Sequence, residues 1–185
     1  MEIDQKTAVV LIGHGAPATD CPPQLVGELM GLEWRGDGSH GGGQALRQAQ
    51  GERAAQLDAK IRDWPRHPGN DPYKVGLERL ASELRNLLPT PLFCVGYNEF
   101  CRPSIPEAVE AMIQRGATRV LVIPSMLTPG GLHSEVDIPR ALEALRAKHP
   151  AVSIEYVWPF DVGQVAALLA SHLQQSLRKI PSDGS

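Results

Sequence analysis

The chain is poor in the residues that mark several common ways of working. Its 185 residues include three cysteines, Cys21, Cys94 and Cys101, and no two of them form a CxxC pair. That excludes a disulfide framework and a cysteine-built zinc site, and it predicts reduced thiols in a cytoplasmic protein. Aromatic residues make up 5%, and no apolar run approaches the roughly 18 to 20 residues that a membrane span needs. Met1 to Lys6 is polar and the apolar run after it is short, so the start does not read as a secretory signal. Lysine and arginine number 18 against 21 aspartates and glutamates, and a net charge of -3 offers no basic footprint for nucleic acid. A G-x-S-x-G elbow and a P-loop are both missing, which leaves hydrolase and nucleotide chemistry unsupported.

What is present suits one α/β domain spanning 1–185, since 42% of the residues are hydrophobic and the length allows one sizeable core. Val120 to Pro124 is an apolar, β-branched run that reads as a central strand buried on both faces. It runs into a loop holding Gly130, Gly131, His133, Glu135 and Asp137, and then into a helix expected over Ile138 to Lys148 with Asp137 as its N-cap. Thr7 to Ile12 is a second buried strand, and it delivers Gly13-His14-Gly15 to its carboxyl end. Glycines on both sides let a ligand approach the imidazole, although the same tripeptide would also build a plain tight turn.

Tyr73 to Leu88 is amphipathic, with Val75, Leu77, Leu80, Leu84 and Leu87 expected toward the sheet. Leu92 to Tyr97 is the next strand and leaves Asn98 and Glu99 at its end. Ser104 and Glu107 form a capping-box pattern, with Pro106 in the first turn, for a helix that Gly116 stops. Val152 to Val157 is the fourth strand, Val162 to Leu177 the closing helix, and Pro181 to Ser185 a frayed tail.

Residues 22–70 break this rhythm. Five of the eight residues from Gly36 to Gly43 are glycine, and helix-permissive stretches flank them near Gln24 to Leu32 and Gln44 to Trp64. The stretch reads as an insertion over the first strand's end, either a lid or specificity element or a tolerated surface excursion.

The alternation of strands and helices predicts a doubly wound, four-stranded parallel sheet with helices on both faces, in the order 2-1-3-4. The strands ending at Gly13 and Pro124 would then be neighbours at the switch point, with His14 facing His133 and Glu99 close by. Two imidazoles and a carboxylate without thiolates suit a borderline divalent ion held with open positions. They also suit proton acceptance, and together the two properties fit metal insertion into a macrocycle, which must lose two pyrrole protons. Glu135 and Asp137 stay open as alternatives to His133. His149 and His172 read as surface or structural groups, as do His40 and His67 beside a reading as transit ligands. Trp34, Trp64 and Trp158 suit core or lid packing as well as stacking on a flat ring.

Leu11-Ile12-Gly13-His14-Gly15, the run from Gly96 through Asn98, Glu99 and Arg102 to Ala108, and Val122 to Pro124 followed by Gly130-Gly131-Leu132-His133 and Asp137-Ile138-Pro139 resemble the CbiX-type sirohydrochlorin chelatases. The resemblance implies a chelatase-like fold and insertion of Co²⁺, Fe²⁺ or Ni²⁺ into sirohydrochlorin without ATP or another nucleotide. It makes His14 and His133 metal ligands and, with Glu99, catalytic residues. Gly130, Gly131, Arg102 and Arg140 are expected to hold a polycarboxylate tetrapyrrole, and Arg35, Arg47 and Arg53 in the insertion could close over it, although any one of these arginines also reads as solvated surface charge. A half-size domain has a shallow crevice, so a homodimer is expected, with no nucleic acid or membrane partner. A non-catalytic metal or tetrapyrrole carrier on the same fold is the alternative. A histidine-phosphatase-like enzyme fits less well, because position 13 is glycine and no phosphate-clamping arginine follows.

Overall fold

The computed structural model describes residues 4–36 and 44–179. Most of the glycine-rich loop, His40 and the tail Pro181 to Ser185 lie outside them, as do the side chains of Trp34, Arg35 and Arg47. Four parallel strands, β1 (Thr7–Gly13), β2 (Phe93–Tyr97), β3 (Arg119–Pro124) and β4 (Ser153–Tyr156), form one sheet in the order β2-β1-β3-β4. This is the doubly wound order expected from the sequence. Ile12 lies opposite Gly96 on one side and Pro124 on the other, so three strand ends meet at one edge.

All seven residues of β1 are buried, because helices cover it on both faces. On one face α4 (Ile105–Gln114) and α5 (Ile138–Lys148) pack Val109, Met112, Leu142 and Leu145 against Val10, Ile12, Val120 and Val122. Burial of each such side chain is worth about 1.5–3 kcal/mol. Gly96 makes this approach possible, since a Cβ there would lie 2.9 Å from both Ala108 Cβ and Ile12 Cδ1. α4 starts with the expected capping box between Ser104 and Glu107.

The other face is covered unevenly. α3 (Pro72–Asn86) buries Leu77 and Ala81 against Val9, Leu11, Phe93 and Tyr97. Its buried stripe continues through Tyr73, Leu84 and Leu88 at steps of three and four, which turns Leu80 and Leu87 outward rather than toward the sheet. Burial along β3 alternates, with Leu121 and Ile123 only half-buried where full burial on both faces was expected. α6 (Val162–Leu177) has the predicted bounds but buries no residue, and Leu168, Leu169, Leu173 and Leu177 are all more than half exposed.

The insertion folds as a helical hairpin. α1 (Pro23–Gly36) and α2 (Gln44–Arg62) pack Leu29, Leu57 and Ile61 into a third cluster, which takes in Ala18, Cys21 and Phe100 from the strand-end loops. No helix among the described residues is long and apolar enough to cross a membrane.

Candidate metal site

The loops after β1 and β2 are joined through their backbones. The Asn98 N–H donates to the Gly13 carbonyl at 2.9 Å, and the Glu99 N–H donates to the His14 carbonyl at 2.8 Å. Gly15 allows this closeness: its φ is +94°, and a Cβ there would sit 1.9 Å from the Glu99 carbonyl oxygen. The His14 N–H donates to the Tyr73 hydroxyl at 2.7 Å, which fixes the backbone from the α3 side. The His14 ring nitrogen Nδ1 lies 2.7 Å from the Gly15 carbonyl, an acceptor only. Nδ1 therefore carries the proton, and Nε2 keeps its lone pair for an ion.

His133 arrives from a different kind of element. It opens a π-turn, His133–Asp137, that runs directly into α5. Asp137 was expected to cap α5, but its φ and ψ of -70° and -50° are helical and its side chain makes no capping bond. The reason is Pro139, which cannot donate to the Glu135 carbonyl and would collide with it in an ordinary α-turn; a wider turn relieves that conflict. The Asp137 carboxylate is thus left for His133, whose Nδ1 lies 2.7 Å away. The Asn98 amide lies 2.9 Å from the same nitrogen. With a proton on Nδ1 the ring donates to Asp137 and Nε2 is the free donor to a metal; without it, Nδ1 accepts from Asn98.

The two rings meet edge to face with centroids 4.5 Å apart. Glu99 faces both rings, Oε2 at 3.9 Å from His14 Nε2 and Oε1 at 3.8 Å from His133 Nδ1. One ligand atom from each of the three residues falls within 4.8 Å of the others, the one such cluster found among the described residues. Ligands about 2.1 Å from a tetrahedral ion stand about 3.4 Å apart, so a small inward shift completes the set. His14 remains 41% exposed, which leaves an ion a way in and out.

The thiols take no part. Cys94 is pushed up to about 11 by burial, and Cys21 and Cys101 are raised by the same cause, so all three are protonated near neutral pH.

A CbiX family model matches residues 70–177. This chain belongs to the CbiX family. It is 38% identical over 79 residues to a sirohydrochlorin cobaltochelatase of Priestia megaterium, covering 42% of this chain and 26% of that protein. It is 37% identical over 84 residues to a sirohydrochlorin cobaltochelatase of Methanocaldococcus jannaschii, covering 45% of this chain and 58% of the relative. The matched stretch thus spans less than two thirds of either relative. In fold the chain resembles a putative cobalamin (vitamin B12) biosynthesis CbiX protein from Marinobacter aquaeolei VT8, with a TM-score of 0.55 at 16% identity, covering 94% of this chain and 99% of that one.

In this CbiX chain a cavity of about 450 Å³ opens beside His133, lined by Glu99, His133, Asp137, Arg62 and Arg140 among others. Its volume is at the lower end of ordinary ligand pockets. Arg140 reaches it as expected. Arg102 does not: it lines a neighbouring hollow and is engaged by Asp63 and Glu107, so its charge is already satisfied. Gly130 and Gly131 shape the approach to the π-turn, the Gly130 N–H donating to Glu135 at 3.1 Å and the Gly131 carbonyl accepting from the Ser134 hydroxyl at 3.2 Å. Arg53 pairs with Glu28 across the α1–α2 hairpin. Trp64 and Trp158 donate to Asp20 and Glu135, His67 closes a local turn with Gly69, and His149 faces Glu110.

Sequence reasoning missed two partners of His133. The His-x-x-x-Asp spacing puts Asp137 one helical turn from the ring and was a usable signal. Nothing local marked the Asn98 amide, which reaches His133 across the sheet edge.

Proposed function

We propose that this protein inserts a divalent metal, Co²⁺, Fe²⁺ or Ni²⁺, into sirohydrochlorin without a nucleotide, as a step of cobalamin- or siroheme-type tetrapyrrole biosynthesis. The observation that carries the reading is the His14–Glu99–His133 cluster at the open end of the switch point, in a chain of the CbiX family. The metal is substrate here. His14 and His133 supply nitrogen ligands to the arriving ion, and as the ion passes to the macrocycle the lone pairs it vacates, with Glu99, accept the two pyrrole protons. Arg140 offers a cation to a carboxylate of the macrocycle in the adjoining cavity.

The working unit we propose is a single domain over 1–185 with the 22–70 hairpin inserted, acting in the cytoplasm as a homodimer. The cavity is small and open for a flat macrocycle, and Val162, Leu168, Leu169, Leu173 and Leu177 of α6 present an apolar face that a second copy would cover. Light scattering should return twice the chain mass, and a monomer with full activity would remove the dimer from the reading.

Anaerobic absorption spectra test the reaction: sirohydrochlorin is mixed with Co²⁺, Fe²⁺ or Ni²⁺, with and without protein. The expected result is faster metallation with at least one ion. Tight macrocycle binding with no acceleration would leave a carrier.

A further inference from the structure

The helical hairpin α1–α2 lies outside the stretch that matches the family, yet its far end and the segment just after it are bonded to the loops after β1 and β2, which carry His14 and Glu99. Arg62, the last residue of α2, directs Nη2 to the Asn98 carbonyl at 2.8 Å and Nη1 to the Cys101 carbonyl at 2.9 Å, while Asp58 holds its Nε. Arg66, one turn further on, directs Nη1 to the Ala16 carbonyl at 2.9 Å and Nη2 to the Phe100 carbonyl, with Asp71 against Nη1. The two side chains are 12% and 9% exposed, so these are built-in contacts and not solvated surface charge. Four carbonyls from the segments flanking Glu99 and following His14 thus end on two guanidinium groups.

A second observation points the same way. Phe100, next to Glu99, has φ of +58°, a left-handed conformation that a bulky side chain adopts only when its surroundings hold it there. Those surroundings belong to the hairpin: the Phe100 ring is buried with Leu29, Leu57 and Ile61, and its carbonyl is on Arg66. The loop that aims Glu99 is therefore strained locally and braced from the insertion.

Resting on the metal-site reading above, we infer that the α1–α2 hairpin is a brace for the metal cluster, with Arg62 and Arg66 as positioning residues that set Glu99 against His14 and His133. The guanidinium forks suit this task, because each bridges two carbonyls at fixed angles where an ammonium would be a single point. Asp58 and Arg62 also line the cavity, so the hairpin forms part of its wall, and its contribution through Glu99 is to metal affinity.

Titration with Co²⁺ alone, followed by its visible absorption, tests this on the full chain. Arg62→Met keeps the stem and removes the fork, and it should weaken Co²⁺ binding by about 10- to 100-fold. Gln48→Ala, which removes the exposed Gln48–Glu52 bond in the same hairpin without touching either loop, should leave affinity unchanged. The decisive readout is a cycle with Glu99→Gln. If Arg62 acts through Glu99, the double variant binds as Glu99→Gln does, within about twofold; multiplying losses mean that Arg62 only supports the fold and overturn the inference. Should Arg62→Met not fold, Asp58→Asn loosens the same guanidinium and must show the same non-additivity at smaller size. Wild-type protein that binds no Co²⁺ overturns the metal-site reading and this inference with it, whereas wild-type binding with an unaffected Arg62→Met overturns the inference alone.

Discussion

His14 and His133 reach the same ion-sized gap on opposite kinds of support. His14 and its neighbour Glu99 are placed by backbone: the Glu99 N–H on the His14 carbonyl, the His14 N–H on Tyr73, and a glycine at position 15 that lets the loops touch. His133 is placed by side chains, with Asp137 and Asn98 competing for one ring nitrogen at the start of a π-turn. One half of the cluster is preset, and the other retains a choice of tautomer and of partner at its ring nitrogen. A protein that keeps its metal can close four rigid ligands around it; one that passes the ion on gains from a ligand that lets go. The contrast between the halves therefore fits an ion in transit.

The largest effect should come from removing either ring. His14→Ala and His133→Ala are each expected to slow cobalt insertion into sirohydrochlorin by about 10²–10⁴-fold, with circular dichroism unchanged. Substantial activity in His133→Ala alone would show that Asp137 or Glu135 can stand in on the adjustable side, and the contrast would then lie in redundancy.

Next is Gly15→Ala, aimed at the preset half. The new methyl meets the Glu99 carbonyl at 1.9 Å in a backbone with φ of +94°. A cost of about 3 kcal/mol or more is expected in urea unfolding, since neither the positive φ nor a backbone clash can be relieved by a rotamer change. Gly131→Ala is the matching change on the other half, where the nearest atom is the Ser134 hydroxyl at 3.3 Å. That oxygen can rotate away at the cost of its hydrogen bond to the Gly131 carbonyl, and a smaller loss of about 1 kcal/mol is expected. Equal losses at the two positions would erase the distinction.

Asp137→Asn follows in size. It keeps the shape but removes the charge that faces His133 Nδ1, and Co²⁺ affinity should fall by about 10- to 100-fold. An unchanged titration would mean that the His133 ring is oriented by its turn alone.

The same contrast separates what the sequence disclosed from what it hid. Strand order, the capping box at Ser104 and the meeting of His14, Glu99 and His133 follow from periodicity, turn residues and the handedness of crossovers, all of which act over short stretches. The mistaken cap at Asp137 came from a local rule that a tertiary partner overrode: the carboxylate is worth more on His133 than on a free backbone N–H, and Pro139 had already widened the turn. Arg62 and Arg66 carried no signal, because their acceptors are backbone carbonyls 34 to 50 residues away in sequence, and carbonyls look alike at every position. The half-covered face of β3 was equally illegible, since burial there depends on where α6 lies and not on the strand's own residues.

Asn98 belongs to both halves, and the change expected to do least is the most discriminating. Its backbone N–H is part of the preset side, on the Gly13 carbonyl, while its amide reaches the adjustable ring. Asn98→Ala leaves the first contact and deletes the second. A neutral hydrogen bond of this kind is worth about 1 kcal/mol, which corresponds to roughly fivefold in affinity, and Asp137 stays in place to hold the ring. Co²⁺ binding should therefore weaken by about fivefold, with the unfolding midpoint nearly unchanged. In the Asp137→Asn background no charged partner holds the ring, so there the same deletion should cost more than fivefold. A loss that is the same in both backgrounds would mean that Asn98 and Asp137 do not share the ring, and that His133 has a single orientation like His14.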